Sequence, residues 1–213
     1  PATVLSEIKG KDISLNLDME NGFIWKINGT SITAETPADI DLSVTNTEEY
    51  IPAALYSLIS TNQNDFGFHL GRNGAFDFPA VLSVKADASC AGLMANLFWY
   101  DAENGVLQCI QTVTVGGAFE RSIPYADFTL SKGQDYFIAF GTESLNGRVI
   151  HTDGSITDEN GAYLRPANIK HASDWEIQPD RFLNRQATGI FQISGKRYLV
   201  CGSPKLGSGC TGQ

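Results

Sequence analysis

The sequence predicts an all-β protein, built as an antiparallel sandwich, and three observations carry that prediction. Apolar and polar residues alternate with a period of two rather than 3.6. Short β-prone runs recur between turn signals at the spacing of a sandwich. No run offers the long helices that a parallel βαβ order requires. A chain of 213 residues suits one large β domain or two small ones.

The elements follow in chain order. Ile13 to Met19 alternates over its length and reads as a half-buried strand, closed by the turn signal Glu20-Asn21-Gly22. Phe23 to Ile27 returns, and Asn28-Gly29 turns again. Asp41 to Thr45 is the next strand. Ile51 to Ile59 follows with Pro52 at its start, a residue tolerated in the first helical turn, and reads as one short helix. Phe66 to Leu70 and Ala75 to Phe78 flank Arg72-Asn73-Gly74, which reads as a hairpin turn. Ala80 to Val84, Ala95 to Tyr100, Val106 to Val115, Ala118 to Ile123 and Asp135 to Phe140 complete the first half, with Asp101 to Gly105 and Gly116-Gly117 as turns. Beyond Gly141 the pattern loosens into a Gly-, Asn- and Asp-rich stretch of shorter strands. The division expected is a sandwich domain over 1–141 and a β-rich extension or small second domain over 142–213.

Composition narrows the class. Charged residues are 18% of the chain, against roughly 25% in an average domain. The formal net charge is −9 and the 15 Lys and Arg are scattered. Phosphate backbones and anionic lipid surfaces both demand clustered cations, so neither nucleic acid nor a membrane is an expected partner. No apolar run approaches the length that spans a bilayer.

The cysteines are Cys90, Cys109, Cys201 and Cys210, and four allow three connectivities. None lies in a C-x-x-C pair, which argues against a zinc ribbon or thioredoxin-type site. Cys201 and Cys210 bracket a Gly- and Ser-rich loop, and Cys90 and Cys109 flank a hairpin. The even count favours two disulfides and an extracellular or cell-surface location; four reduced thiols are the competing reading.

Catalytic signatures are weak. The histidines are His69, His151 and His171, and no Gly-x-Ser-x-Gly elbow occurs. Asp101 and Glu103 fall on a hairpin tip, where solvated turn residues are the rule. Residues 153–160 are oxygen-rich enough to hold Ca²⁺ but lack EF-hand spacing, and read first as a solvated turn. No other cofactor is expected. Lys26 is the one residue placed to form an intramolecular isopeptide bond, and reads first as an exposed strand lysine.

Aromatic residues carry the sharper expectation. Sugar rings stack their C–H faces on aromatic rings while their hydroxyls bond amides and carboxylates. In the run 97–100 neighbours alternate faces: if Leu97 and Trp99 point inward, Phe98 and Tyr100 point out, and the reverse register is equally open. Trp175 lies among Asp174, Glu176, Gln178, Asp180 and Arg181, and Tyr163 and Arg165 add an aromatic ring and a polar arm. Trp25 and Trp99 read as core.

The segments Phe23 to Gly29, Ala95 to Tyr100, Gly105-Val106-Leu107 and Gln134 to Ile138 resemble a domain recurrent in secreted multi-domain surface and cellulosome-type proteins of clostridia and ruminococci. The resemblance covers residues 1–141 only. It implies an Ig-like sandwich serving as a spacer, an adhesion module or a carbohydrate-binding module. The functional expectation is therefore a non-catalytic, carbohydrate-binding module of an exported bacterial protein, with a polysaccharide or surface glycan as partner. A spacer or protein-binding adhesin is the first alternative, and a small glycan-acting hydrolase the second.

Overall fold

The computed structural model describes residues 1–116 and 123–165, together with the backbone of strands at 176–177, 188–193 and 196–201. The chain divides into two compact units. One holds 1–152 with 158–161, and the other holds 153–157 with 162–213.

The first unit begins with a short helix α1 (Ala2–Ile8). Strands β1 (Ser14–Asp18) and β2 (Phe23–Asn28) follow, then β3 (Val44–Asn46), the single helical turn α2 (Ala53–Tyr56), β4 (Phe66–Leu70) and β5 (Ala75–Lys85). After these come β6 (Met94–Asp101), β7 (Val106–Thr114), β8 (Tyr125–Lys132), β9 (Asp135–Gly141) and β10 (Val149–His151). A four-stranded sheet runs β1-β2-β5-β8, and a larger sheet carries β10-β7-β6-β9-β4-β3 in that order. Every neighbour pair recorded within the unit is antiparallel.

The smaller sheet obeys the alternation in the sequence. Phe23, Trp25 and Ile27 are buried, while Ile24, Lys26 and Asn28 between them are not. Trp25 lies opposite Leu82, and Leu82 opposite Phe128, so one row of large apolar groups crosses the sheet. That row shares a core with Phe68, Leu97, Tyr136 and Ile138 of the larger sheet. Phe23 meets Phe68 with ring centroids 5.3 Å apart. The one polar atom of the Trp25 indole is satisfied, donating to the Leu42 carbonyl at 2.8 Å.

One sequence expectation is corrected here. Residues 71–74 do not close a hairpin, because β4 and β5 belong to different sheets. Instead Gly74, at φ 86°, carries the chain across, and its carbonyl accepts from Gly133 N–H, which starts β5 against the end of β8. Strand β10 pairs with β7 and so belongs to the first compact unit.

The second unit contains β11 (Ile156–Thr157) paired with β12 (Tyr163–Arg165). It also contains a three-stranded antiparallel sheet of β13 (Glu176–Ile177), β14 (Thr188–Ile193) and β15 (Lys196–Cys201).

Candidate functional site on the outer face of the larger sheet

The larger sheet is covered on both faces. Strand β9 is buried from Asp135 through Phe140. In β6 the residues from Ala95 through Phe98 are all buried. Leu97 belongs to the core between the sheets, so Phe98 points to the other face. There it lies opposite Phe137, on which Tyr56 stacks with ring centroids 5.1 Å apart and planes within 15°. Ile51, Leu55 and Ile59 of the same excursion are buried as well. Residues 47–65 thus form a cover over the outer face.

Three contacts fix that cover. Asp65 accepts from Thr61, Asn62 and Phe140 N–H at 2.9, 2.9 and 2.7 Å. Burial pushes its carboxyl above the usual range, and these donors pull the other way. Thr47 N–H donates to Gly67 O. Gly67 is needed for the approach, since a Cβ there would stand 2.7 Å from Glu48 Cγ and 2.9 Å from Thr47 O.

Where the cover thins, a polar group emerges. His69 alternates with the buried Phe68 and Leu70 and so faces outward. Its Nδ1 lies 2.8 Å from Asp135 Oδ1, and the two residues are direct cross-strand partners. The Asp135 side chain is only 12% exposed and that of His69 26%. The Tyr50 ring lies against the imidazole, with centroids 4.7 Å apart and planes tilted by 43°, and Tyr50 is 53% exposed. Thr45 is the partner of His69 on the other side. Tyr100, half-buried, lies on this face in the strand beside Asp135. An exposed aromatic ring, a histidine held by a nearly buried carboxylate, a hydroxyl and a second tyrosine therefore share one surface.

The residues expected from sequence fare unevenly. Tyr100 joins this surface. Phe98 does not, because the cover buries it completely. Tyr163 is 64% exposed on β12 of the second unit, beside Leu164 at 54%. Trp175 and the side chain of Arg165 lie outside the described residues, as does His171. Trp25 is core, as read from sequence. Trp99 is partly buried against that core, and Lys132 Nζ sits 2.9 Å from its ring centroid, so an ammonium covers that face of the indole. Tyr50, His69 and Asp135 were missed. The signal available was the alternation of His69 with flanking apolar residues, together with an acid opening an otherwise apolar strand.

Of the pairings left open by the sequence, Cys90–Cys109 does not form, and both are free, buried thiols. Cys90 ends the turn before β6, where Gly92 and Leu93 bond to Val115. Cys109 lies mid-strand opposite Phe98, roughly 20 Å along β7 at strand rise. Disulfide bonding needs Cα atoms within about 7 Å. Burial pushes the Cys109 thiol up to about 11 and raises that of Cys90. The side chains of Cys201 and Cys210 lie outside the described residues.

Other groups find ordinary partners. Lys26 Nζ pairs with Asp127 Oδ2 at 3.0 Å in a largely solvated setting, and Ser83 Oγ donates to the other carboxylate oxygen. Asp101 accepts from Asn104 Nδ2 and from Glu103 and Asn104 N–H, and the Asn104 side chain holds its carboxyl below the usual range. In the oxygen-rich segment, Asp153 accepts from Ser155 and Asp158 from Asn160 N–H, with β11 between them. No group of three His, Cys, Asp or Glu side chains suited to a metal ion forms among the described residues. No helix among them is long and apolar enough to cross a membrane.

No protein-family model, curated protein or solved structure matches the chain.

Proposed function

We propose that the chain is a non-catalytic, carbohydrate-binding module of an exported bacterial surface or enzyme-assembly protein, and that its sugar-binding surface is the outer face bearing Tyr50, His69 and Tyr100. The observation that carries this reading is the exposed Tyr50 ring resting on a histidine whose other side is anchored by Asp135. An exposed ring supplies apolar area at small entropic cost, and fixed polar groups beside it supply direction. Anchoring on strands β4 and β9 gives the rigidity a binding site needs. We further propose an Ig-like architecture in the broad sense of two antiparallel sheets around one core. The order β1-β2-β5-β8 gives it a connectivity of its own. With Cys90 and Cys109 free, the exported location rests on composition and on the resemblance of residues 1–141.

The test is a screen of the full chain against a glycan array and insoluble plant polysaccharides, with Tyr50→Ala, Tyr100→Ala and Trp175→Ala alongside. Binding that falls at least about tenfold in Tyr50→Ala supports the reading, a loss equivalent to about 1.4 kcal/mol. Binding lost only in Trp175→Ala moves the site to the second unit. Failure to bind any glycan overturns the reading in favour of a spacer or protein-binding adhesin.

A further inference from the structure

We infer that the Tyr50 face takes a neutral polysaccharide, and that His69 Nε2 hydrogen-bonds one of its hydroxyl groups. This deepens the carbohydrate reading above and rests on it.

The first argument is where the cations are. The chain has 15 Lys and Arg. None falls in β3, β4, β6, β7, β9 or β10, and none in the cover, residues 47–65. The cover contributes Glu48, Glu49 and Asp65 instead. Among the described residues the charged group in contact with His69 is Asp135, at 2.8 Å, and Arg72, three residues along, spends its guanidinium on the Ala75 carbonyl. Lys26, Lys85 and Lys132 belong to the smaller sheet. Arg148 precedes β10, next to Cys109 rather than His69. Uronate or sulfate groups are recognised by Arg forks and Lys ammonium groups. On this face they would meet carboxylates, and like-charge contact costs affinity.

The second argument is the hydrogen-bonding state of His69. An ionised carboxylate only accepts, so the Nδ1···Oδ1 contact places a proton on Nδ1. The other ring nitrogen, Nε2, has no hydrogen-bond partner among the described residues. Asp135, nearly buried, holds the ring in that orientation before any ligand arrives. A sugar ring stacked at Tyr50 would bring its hydroxyls to the neighbouring imidazole, 4.7 Å from the tyrosine centroid. A sugar hydroxyl both donates and accepts, so it can pair with Nε2 in either protonation state of the ring.

The experiment compares the full chain with His69→Asn for binding to a neutral set (cellulose, xyloglucan, mannan) and an acidic set (polygalacturonate, alginate, heparin). The asparagine amide reproduces the bond to Asp135 and removes Nε2, and a thermal melt checks that its stability is kept. The result expected is binding to a neutral polymer, at least tenfold weaker binding to every acidic one, and at least a tenfold loss in His69→Asn. An acidic polymer bound as tightly as the neutral ones overturns the inference while leaving the carbohydrate reading intact. Undiminished binding by a folded His69→Asn overturns the role given to Nε2. No binding in either set removes the carbohydrate reading itself.

Discussion

The two sheets of the first unit solve the same problem differently. In the smaller sheet β2 and β8 bury every second residue, and the outer face carries solvated groups such as the Lys26–Asp127 pair. In the larger sheet β9 is buried along most of its length, and the outer face supports a second apolar layer under residues 47–65. The contrast teaches that a face sealed by a cover can still leave an aromatic and polar patch exposed at the cover's margin. Tyr50 and His69 stand at that margin, backed by strands β4 and β9. The open face of the smaller sheet offers only groups that water already satisfies.

Substitutions can break or sharpen this comparison. The largest effect is expected from Phe98→Ala. If the outer layer is true core, its loss costs about 3–5 kcal/mol in denaturant unfolding, like any large buried aromatic. A cost below about 1 kcal/mol would mean that the cover is loosely laid and the two sheets are alike. Gly67→Ala comes next. The added methyl must push against Glu48 Cγ and Thr47 O at 2.7 and 2.9 Å, which predicts a loss of about 1–3 kcal/mol. Because the displaced segment carries Tyr50, the glycan binding proposed above should weaken in parallel.

The buried thiol on the covered face gives a pH test. Cys109 keeps its proton in the folded chain up to about 11, whereas a free thiol ionises near 9.0. Between those values the unfolded chain loses the proton first, so stability falls as pH rises through that window. Correspondingly, iodoacetamide at pH 8 should leave Cys109 unmodified in the folded protein and label it after denaturation, as read by peptide mass spectrometry. Labelling of the folded chain would show that the cover opens. The smallest effect belongs to the other sheet. A double-mutant cycle on Lys26 and Asp127, whose side chains are 29% and 52% exposed, should give about 0.2–1 kcal/mol. It should shrink with added salt.

How much of this was legible in sequence follows from the same contrast. Strands with one wet face announce themselves by alternation, so β1 and β2 were read almost residue for residue. Runs such as Ala95 to Phe98 lie in a central strand covered on both faces and carry no period, which is why Phe98 was assigned to a surface it never reaches. The segment 71–74 has the composition of a hairpin, yet a turn cannot state which sheet the next strand will join. On the face proposed as the site, Tyr100 was singled out from sequence because it belongs to a conspicuous aromatic run. His69 and Asp135 stand 66 residues apart, and only the pairing of β4 with β9 makes them neighbours.

The anchoring of the cover has a consequence for how such a molecule diversifies. Thr47 N–H bonds to Gly67 O, so the excursion leaves the sheet and returns to it at nearly one point. A loop whose ends already meet can be exchanged, lengthened or recoded without redrawing the strands that carry it. The sandwich then acts as a chassis and residues 47–65 as a cassette, with Asp65 as its latch to β9. Recoding that cassette would alter the surface around the His69–Asp135 pair while the core row of Trp25, Leu82 and Phe128 stays untouched.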